Sequence, residues 1–342
     1  MPPVDVFGRA LAALDAGQGV AIATVTGAHG STPRHLGARM AVTADGQHWG
    51  TIGGGKIEQV VVERAREVAS GAASAIVRQH LVRDLAMCCG GSMEVVLTPA
   101  MTSREALALG AEAASAMRAP GSCVRVLGTP LDGSPLFVRD AQNGDPRAHR
   151  PAIVDGVLVE KIGPAERAII FGLGHVARAL GPLLANVGFV VIACDDGETG
   201  ATDAPPAWTS EVVESFDAIE VERRVHGFGA DDYVLIVTRD HAIDQKLLEA
   251  LITNDSIGYL GMIGSRGKVG RFEKRLRAKG LLDGEIGEAR WARLRAPIGL
   301  DLGAETPDEI AIAIAAELIA RRRRSSSMPG TWELRRHHEE NA

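Results

Sequence analysis

Two adjacent cysteines followed by two glycines are the residues of this sequence best suited to chemistry. The run is Cys88-Cys89-Gly90-Gly91, and the chain has only 4 cysteines in its 342 residues. Gly90 and Gly91 leave the thiol little side-chain cover and place backbone N–H groups beside it. A thiolate in such a setting suits a soft metal or the transfer of sulfur. Cys89 is therefore our first candidate for contact with a metal or its sulfur, and Cys88 is the second.

The alternative for any free cysteine is a small buried hydrophobic residue. That interpretation fits Cys123 and Cys194, which lie in predicted strands. It fits Cys89 less well because of the two glycines. No CxxC or Cys/His spacing typical of a structural zinc site occurs in the sequence.

Two loops near the N-terminus could bind an anion. Gly53-Gly54-Gly55-Lys56 opens a predicted helix, where free backbone N–H groups form a phosphate cradle and Lys56 adds a positive charge. The alternative is a turn that needs positive φ, for which one glycine would suffice. In the loop Gly30–Arg34, the hydroxyl group of Ser31 can donate a hydrogen bond. The planar guanidinium of Arg34 can bind a phosphate or a carbonyl-rich heterocycle. The alternative there is a solvated loop.

A glycine-rich turn predicts a Rossmann-like domain in the second half of the chain. Gly172, Gly174 and Ala177 follow an apolar strand and open a helix, and Asp195 ends the next strand. This spacing is typical of a turn that receives a pyrophosphate, with the acidic residue accepting hydrogen bonds from a ribose 2′-OH. The alternative is a Rossmann scaffold that has kept the turn without the nucleotide.

Two further candidates follow later strands of the same domain. Asp240 and His241 come directly after a predicted parallel strand, where open α/β sheets place ligands. Ser265 and Arg266 lie between another strand and a helix, which makes them a second possible anion site. For Asp240 the alternative is a helix cap, and for His241 a solvated side chain.

These residues must be positioned by at least two domains. Residues 1–100 mix helices with short strands, which predicts an α/β (α+β-like) domain, and residues 101–163 form a connecting segment with short strands packed on it. From 164 to 325, strands alternate with helices, which predicts a Rossmann-like domain with a parallel sheet. The pattern from Asp196 to Asp232 is too weak to assign. The polar tail 326–342 is predicted to be disordered.

Composition narrows the class of protein. Hydrophobic residues make up 46% of the chain, aromatic residues only 4%, and the formal net charge is −6. We therefore expect no nucleic-acid partner. No apolar run is long enough for a membrane span and no signal peptide is evident, so we expect no membrane partner. The cysteines form no disulfide pattern, which favours a cytoplasmic location.

Taken in order, these segments resemble the xanthine dehydrogenase accessory (maturation) factor family, often called XdhC/CoxI. The matching blocks are Gly30–Arg34 with Gly37 and Met40, Gly50–Gly55 with Glu58, Cys89–Gly91, Gly172–Ala177, Gly264–Arg266, Pro297–Gly303 and Thr306–Ala311. Two positions depart from the family pattern. Gly197 stands where many relatives carry Arg, and Arg239 stands where relatives often have His.

The resemblance implies an accessory protein and not a dehydrogenase. Such proteins bind the molybdenum cofactor (molybdopterin) as cargo, present it to a cysteine desulfurase for sulfuration and help to insert it into a xanthine dehydrogenase-type molybdoenzyme. It also implies a homodimer. Carried over, Cys89 would contact molybdenum or its sulfur, and Arg34 with Gly53–Gly55 would suit the pterin phosphate.

Two other functions stay open at this point. One is an NAD(P)-dependent oxidoreductase that uses a nucleotide bound at Gly172, Gly174, Ala177 and Asp195. The other is a scaffold that docks the client enzyme and binds no cofactor.

Overall fold

A computed structural model describes residues 5–88, 90–115, 125–142, 145, 151–163, 166–201 and 203–323. The chain forms two compact units that meet in sequence between Pro164 and Ala165. Cys89, Cys123 and the tail 326–342 lie outside the described residues.

The N-terminal unit is built from two antiparallel sheets and three α-helices among its described residues. The elements are α1 (Val6–Asp15), β1 (Val20–His29), β2 (Arg39–Thr43), β3 (His48–Gly50), α2 (Gly55–Ala69), β4 (Ala75–His80), β5 (Ser92–Pro99), a 3₁₀ turn (Met101–Ser103), α3 (Arg104–Ser115), β6 (Arg125–Pro130), β7 (Phe137–Asp140), β8 (Ala152–Val154) and β9 (Val157–Ile162). One sheet has the order β3-β2-β1-β5-β4 and the other β7-β6-β9-β8.

Strand β1 is the centre of the first sheet and is covered on both faces. Ala21, Ala23 and Val25 pack with the buried stripe of α2, whereas Val20 and Ile22 pack with residues of α1 and α3. Because side chains alternate along a strand, burial on both faces requires a continuous apolar run. This explains why residues 20–25 carry no charge.

The C-terminal unit is a parallel sheet with helices on both faces. Its elements are β10 (Arg167–Phe171), α4 (His175–Asn186), β11 (Val190–Asp195), β12 (Glu211–Glu214), α5 (Ala218–Arg224), β13 (Asp232–Ile236), α6 (His241–Leu251), β14 (Tyr259–Met262), α7 (Arg266–Ala278), α8 (Gly284–Arg293), β15 (Leu294–Arg295) and α9 (Pro307–Arg323). All of the strand pairs are parallel, in the order β12-β11-β10-β13-β14-β15.

That strand order is the one found in dinucleotide-binding domains, in which the order of the strands along the sheet reverses between the first and fourth strands. Here the reversal falls between β10 and β13. Along β10, Ile169 and Phe171 enter one hydrophobic cluster, and Ala168 and Ile170 enter the cluster on the opposite face. The predicted fold class, a Rossmann-like domain with a parallel sheet after an α/β domain, is therefore confirmed.

Sequence patterns indicate several of these elements clearly and one stretch poorly. A capping box opens α9: Glu309 N donates to Thr306 Oγ1, and Glu309 Oε2 accepts from the backbone N–H of Thr306. The unassigned stretch from Asp196 to Asp232 contains β12 and α5, both short. Among the described residues, no helix is both long and apolar enough to cross a membrane.

Candidate functional site

Three segments that are far apart in sequence meet in the N-terminal unit. A Cβ atom on Gly53 would lie 2.6 Å from Cγ of Pro33, and one on Gly55 would lie 3.2 Å from Cε of Met87. A Cβ atom on Gly91 would lie 2.6 Å from the carbonyl oxygen of Ser31. The Gly30–Arg34 loop, the Gly53–Gly55 turn and the segment around the two cysteines therefore form one cluster, which we call the glycine-loop cluster.

Backbone hydrogen bonds hold this cluster together. Gly91 N donates to the carbonyl oxygen of Ser31 at 3.0 Å, which joins the cysteine segment to the first loop. Leu81 N donates to Gly91 O, and Met87 N donates to Leu81 O, both at 2.9 Å. The segment from 81 to 91 is thus closed at its base. Gly91 is buried against these carbonyl groups, so no larger residue would fit there.

All three glycines of the Gly53–Gly55 turn have positive φ. The angles are 129° at Gly53, 74° at Gly54 and 70° at Gly55. L-residues with a side chain rarely adopt this region of backbone space. The expectation that one glycine would serve the turn was wrong, because the backbone uses all three. The number of glycines is therefore not by itself evidence for an anion site.

Glu58 occupies part of the predicted phosphate cradle. Its Oε2 accepts from the backbone N–H of Ile52 at 3.2 Å, from Gly54 N at 3.0 Å and from Thr51 Oγ1 at 2.8 Å. The carboxylate of α2 thus holds the turn that precedes its own helix. The N-cap residue Gly54 offers no side chain to the first turn of α2. Backbone N–H groups in that first turn have no acceptor within the helix.

Polar side chains of the glycine-loop cluster face solvent. Arg34 and Lys56 are exposed, and neither forms an ion pair with any residue that the structure describes. Ser31 and Cys88 are exposed as well. Cys89 lies outside the described residues, between Cys88 and Gly90. Within the described parts of the chain, no group of three or more His, Cys, Asp or Glu side chains could hold a metal ion.

Asp84 fixes the start of the loop that carries Cys88. Its Oδ2 accepts from the backbone N–H of His80 at 2.7 Å, and its Oδ1 accepts from Arg83 Nε at 2.8 Å. The Arg83 guanidinium and the His80 N–H group lower the pKa of Asp84, since both favour the carboxylate. The loop is thus held by a side chain that stays ionised at neutral pH.

The glycine turn of the C-terminal unit follows β10, where the strand order of the sheet reverses. Gly172 has a φ of 112°, and a Cβ atom there would lie 2.7 Å from Val237 O and 2.9 Å from Thr238 Cα. Gly174 is exposed, and a Cβ atom there would have no neighbour within 4 Å. Ala177 is fully buried in the core. The first glycine thus permits close strand packing, while the second leaves open space above the helix.

Several other candidates have structural partners. Asp195 is 2% exposed, and its Oδ2 accepts from Thr199 Oγ1 at 2.6 Å. Asp240 caps α6 by accepting from Ala242 N and Ile243 N, as its alternative interpretation predicted, and His241 is exposed. Ser265 caps α7 in the same way through Lys268 N.

Residue patterns did not indicate the buried ion pair beside these caps. Lys268 Nζ contacts Asp244 Oδ2, and it donates to Ile263 O at 3.0 Å. Asp244 also accepts from Thr238 Oγ1 at 2.6 Å. Lys268 is 4% exposed and Asp244 is fully buried. Lys268 therefore ties the loop after β14 to α6, and it is not available to bind an anion.

A cavity of about 590 Å³ lies next to this network. Arg266 and Gly264 line it on one side, and the segment from Ala296 to Ala304 lines it on the other. Gly299 N in that segment donates to Glu317 Oε2 of α9 at 2.5 Å. The loop Pro297–Gly303 is held by this buried carboxylate.

Comparison with known families finds a match in each of the two units. A model described as the XdhC Rossmann domain matches residues 168–318, and a model described as the XdhC and CoxI family matches residues 13–80. The chain belongs to the XdhC and CoxI family. The family resemblance found in the sequence is thus confirmed, and it covers the glycine-loop cluster up to His80 and most of the parallel sheet.

Curated relatives show how far the similarity extends. The chain is 29% identical over 305 residues to YqeB of Escherichia coli K12, an uncharacterized protein, covering 87% of this chain and 43% of YqeB. It therefore spans less than half the length of that relative. It is 25% identical over 322 residues to a probable subunit of xanthine dehydrogenase from Bacillus subtilis, covering 89% of this chain and 93% of the relative.

A solved structure shares the fold. The crystal structure of a protein named as a xanthine dehydrogenase from Bacillus halodurans superimposes with a TM-score of 0.72, at 23% sequence identity. The match covers 96% of this chain and 98% of that one. At this identity the likeness concerns the fold of the chain and not its activity.

Proposed function

We propose that this chain is an accessory protein that binds the molybdenum cofactor as cargo during maturation of a xanthine dehydrogenase-type enzyme. Membership of the XdhC and CoxI family supports an accessory role. The name of the Bacillus subtilis relative supports a link to xanthine dehydrogenase. In this proposal the cofactor is cargo, and the chain is not itself a dehydrogenase.

The observation that carries the proposal is the glycine-loop cluster. It brings the Gly30–Arg34 loop, the start of α2 and the segment that contains Cys88 to one place. A pterin with a phosphate and a metal–sulfur centre requires both an anion site and a soft ligand. Cations and helix N–H groups bind phosphate, and thiolates bind soft metals. The two kinds of group lie in the same cluster.

The backbone of the cluster leaves room for a ligand at two points. A Cβ atom on Gly54 or on Gly90 would meet nothing within 4 Å. Glu58 takes the N–H group of Gly54, so the first turn of α2 must supply the remaining donors to a phosphate. Arg34 and Lys56 add positive charge that is not paired with any carboxylate in the described part of the chain. These residues fit the phosphate of the cargo.

A cysteine thiol would bind the metal–sulfur end of the cofactor. We propose that Cys89 contacts molybdenum or its sulfur, with Cys88 a weaker candidate. The bound cofactor would then be presented to a cysteine desulfurase and passed to the client enzyme, with the chain acting as a homodimer in the cytoplasm. These partners follow from the family resemblance, and the cluster supports only the binding step.

The test measures what the purified protein carries. We expect extracts of the wild-type chain to contain a fluorescent oxidised pterin and molybdenum. We expect Cys89→Ser to lower both by roughly tenfold or more, since even the loss of an outer-shell partner of a metal ligand commonly costs that much affinity. Cys88→Ser is the matched control, because it removes the neighbouring thiol, and it should retain both. Arg34→Gln should weaken pterin retention while leaving the protein folded.

Three outcomes would contradict this proposal. Wild-type protein that carries no pterin when produced beside an active cofactor pathway would favour a scaffold that only docks the client. Pterin retention that is equal in Cys89→Ser and wild type would remove the thiol from the site. Hydride transfer to or from NAD(P) by the purified chain would instead favour the oxidoreductase alternative.

A further inference from the structure

Helix α9 exposes an apolar face in the middle of its length. In the range 310–320 its only charged residue is Glu317, which is buried and accepts a hydrogen bond from Gly299 N. Surface helices of globular proteins usually carry polar residues on the side away from the core. Here Ile312 is 54% exposed and Ile319 is 37% exposed. The helix therefore leaves apolar side chains in solvent where polar ones are usual.

The opposite face of α9 is fixed to its own unit. Ala311, Ile314 and Leu318 are fully buried in the cluster that covers one face of the parallel sheet. Near the end of the helix, the buried guanidinium of Arg322 contacts the carboxylate of Glu166. The helix therefore cannot turn its exposed isoleucines inward without breaking this packing.

Charged residues at the two ends of the exposed face have opposite signs. Asp308 lies four residues before Ile312, and Arg323 lies four residues after Ile319. These spacings place all four residues on one side of the helix. Asp308 and Arg323 are exposed, and neither forms an ion pair with a residue in the described part of the chain. The face is therefore acidic at its start, apolar in the middle and basic at its end, with the same spacing from either end.

We propose that this face, defined by Asp308, Ile312, Ile319 and Arg323, is the surface through which two copies of the chain pair. In an antiparallel pair of α9 helices, Ile312 of one copy meets Ile319 of the other, and Asp308 meets Arg323. Each contact occurs twice, because a two-fold interface uses the same surface on both copies. Ala316 lies between the two isoleucines, and its small side chain allows the helices to approach closely at the axis.

Charge complementarity favours a second copy of this chain as the partner. A parallel pair would set Asp308 against Asp308 and Arg323 against Arg323, whereas the antiparallel pair joins opposite charges at both ends. The ion pairs thus fix the direction of pairing, and burial of the isoleucines supplies most of its affinity. One helix face is small for a permanent dimer, so we expect reversible pairing in the micromolar range.

The test follows the mass of the full chain by sedimentation velocity. Wild type should shift from monomer to dimer between about 1 µM and about 100 µM. Ile312→Ser should weaken pairing about tenfold or more, because one substitution removes two apolar contacts from the dimer. The matched control is Ile286→Ser on α8, where the isoleucine is 67% exposed. It should leave pairing unchanged.

Charge reversal tests the antiparallel direction. Asp308→Arg and Arg323→Asp should each weaken pairing roughly tenfold, since each creates two like-charge contacts. The double variant again joins opposite charges at both ends and should return to within about threefold of wild type. Both reversals oppose the dipole of α9 within each copy, so their effects on the helix itself would add. Recovery in the double variant therefore reports contact between copies.

Three results would overturn the inference. The first is a chain that stays monomeric over the whole range, which would leave the face to a different protein or to residues 324–342. The second is Ile312→Ser that pairs as tightly as wild type. The third is a double variant that pairs no better than the single reversals.

The inference specifies the homodimer named in the proposed function, but it does not require the cofactor. Pterin content is measured on the same wild-type samples. Retained pterin without pairing would contradict the pairing surface alone, and pairing without pterin would contradict the cargo-binding function alone.

Discussion

Positively charged side chains of the two units differ in exposure and in ion pairing. Arg34 and Lys56 of the glycine-loop cluster are exposed and form no ion pair with described residues. Lys268, on α7 of the C-terminal unit, is buried and bound to Asp244, and Arg239 is shared by two carboxylates. The two glycine-rich regions therefore look alike in sequence but differ in the charge that they can offer a ligand.

This difference separates binding groups from structural groups. A buried ion pair has already lost its hydration, and removing one partner leaves an unpaired charge in the interior. Lys268 is therefore a fixed part of the C-terminal unit. Exposed cations keep their hydration and can bind an incoming phosphate directly. Arg239 lies between these extremes, because its ion pairs are formed but exposed.

The largest predicted effect concerns the buried pair. Asp244→Ala should lower the free energy of unfolding by about 3–5 kcal/mol, because it leaves Lys268 buried without a partner. Urea unfolding at neutral pH measures this. The matched comparison is Lys56→Ala, an exposed cation without an ion pair to any described residue, which should change stability by less than about 0.5 kcal/mol.

A rescue variant separates charge from packing. Replacing both partners, as Asp244→Leu with Lys268→Met, should recover most of the loss, since well-packed apolar pairs often replace buried ion pairs without cost. A loss below about 1 kcal/mol in Asp244→Ala would show that Lys268 reaches solvent, and the contrast between the two units would fail.

The second prediction compares one glycine from each turn. Neither Gly54 nor Gly174 has a neighbour within 4 Å of a Cβ atom, but φ is 74° at Gly54 and −69° at Gly174. Gly54→Ala should therefore cost about 1–2 kcal/mol from backbone strain, whereas Gly174→Ala should be near neutral. Thermal unfolding of the two variants measures the difference. Equal costs would show that φ does not distinguish the two turns.

The smallest predicted effect concerns the N-terminus of α9, compared with that of α2. Backbone N–H groups of Thr306 and Glu305 lower the pKa of Glu309 below its ordinary value, whereas at α2 the carboxylate of Glu58 binds the turn before the helix. A lowered pKa means that Glu309 contributes stability above its ordinary pKa, and that this is lost as pH falls through the folded value. Glu309→Gln should be slightly less stable than wild type at pH 7.

The pH dependence identifies the origin of that effect. Urea midpoints of wild type and Glu309→Gln should converge as pH falls through the lowered pKa of Glu309, because the protonated wild-type carboxyl resembles the amide. A difference that stayed constant between pH 7 and pH 3 would show that charge at Glu309 does not stabilise α9.

Much of the fold could be predicted from local patterns. Helix α4 was expected to follow the glycine turn at Gly172–Ala177, and it begins there at His175. Thr306 and Glu309 have the spacing of a capping box, which indicates the start of α9. The parallel sheet followed from strand–helix alternation. Strand β12 and helix α5 were missed, because elements of 4 and 7 residues carry too little periodicity to identify.

Sequence alone also identified the blocks of the candidate site. It singled out the Gly30–Arg34 loop, the Gly53–Gly55 turn and the cysteine run as the places where chemistry could occur, and their order indicated the family. Residue type and spacing suffice for this, since glycines, cations and thiols have distinctive roles. Only the tertiary structure decided that Ser31 meets Gly91 and that Pro33 meets Gly53.

Sequence alone also does not show whether a charged side chain is paired. Lys56 and Lys268 both follow glycine-rich turns in the sequence, yet one is exposed and the other is buried beside Asp244. A residue's own type determines that it carries a charge. Whether the charge is free or paired depends on residues distant in the chain, as with Asp244 and Lys268, and folding alone brings such partners together.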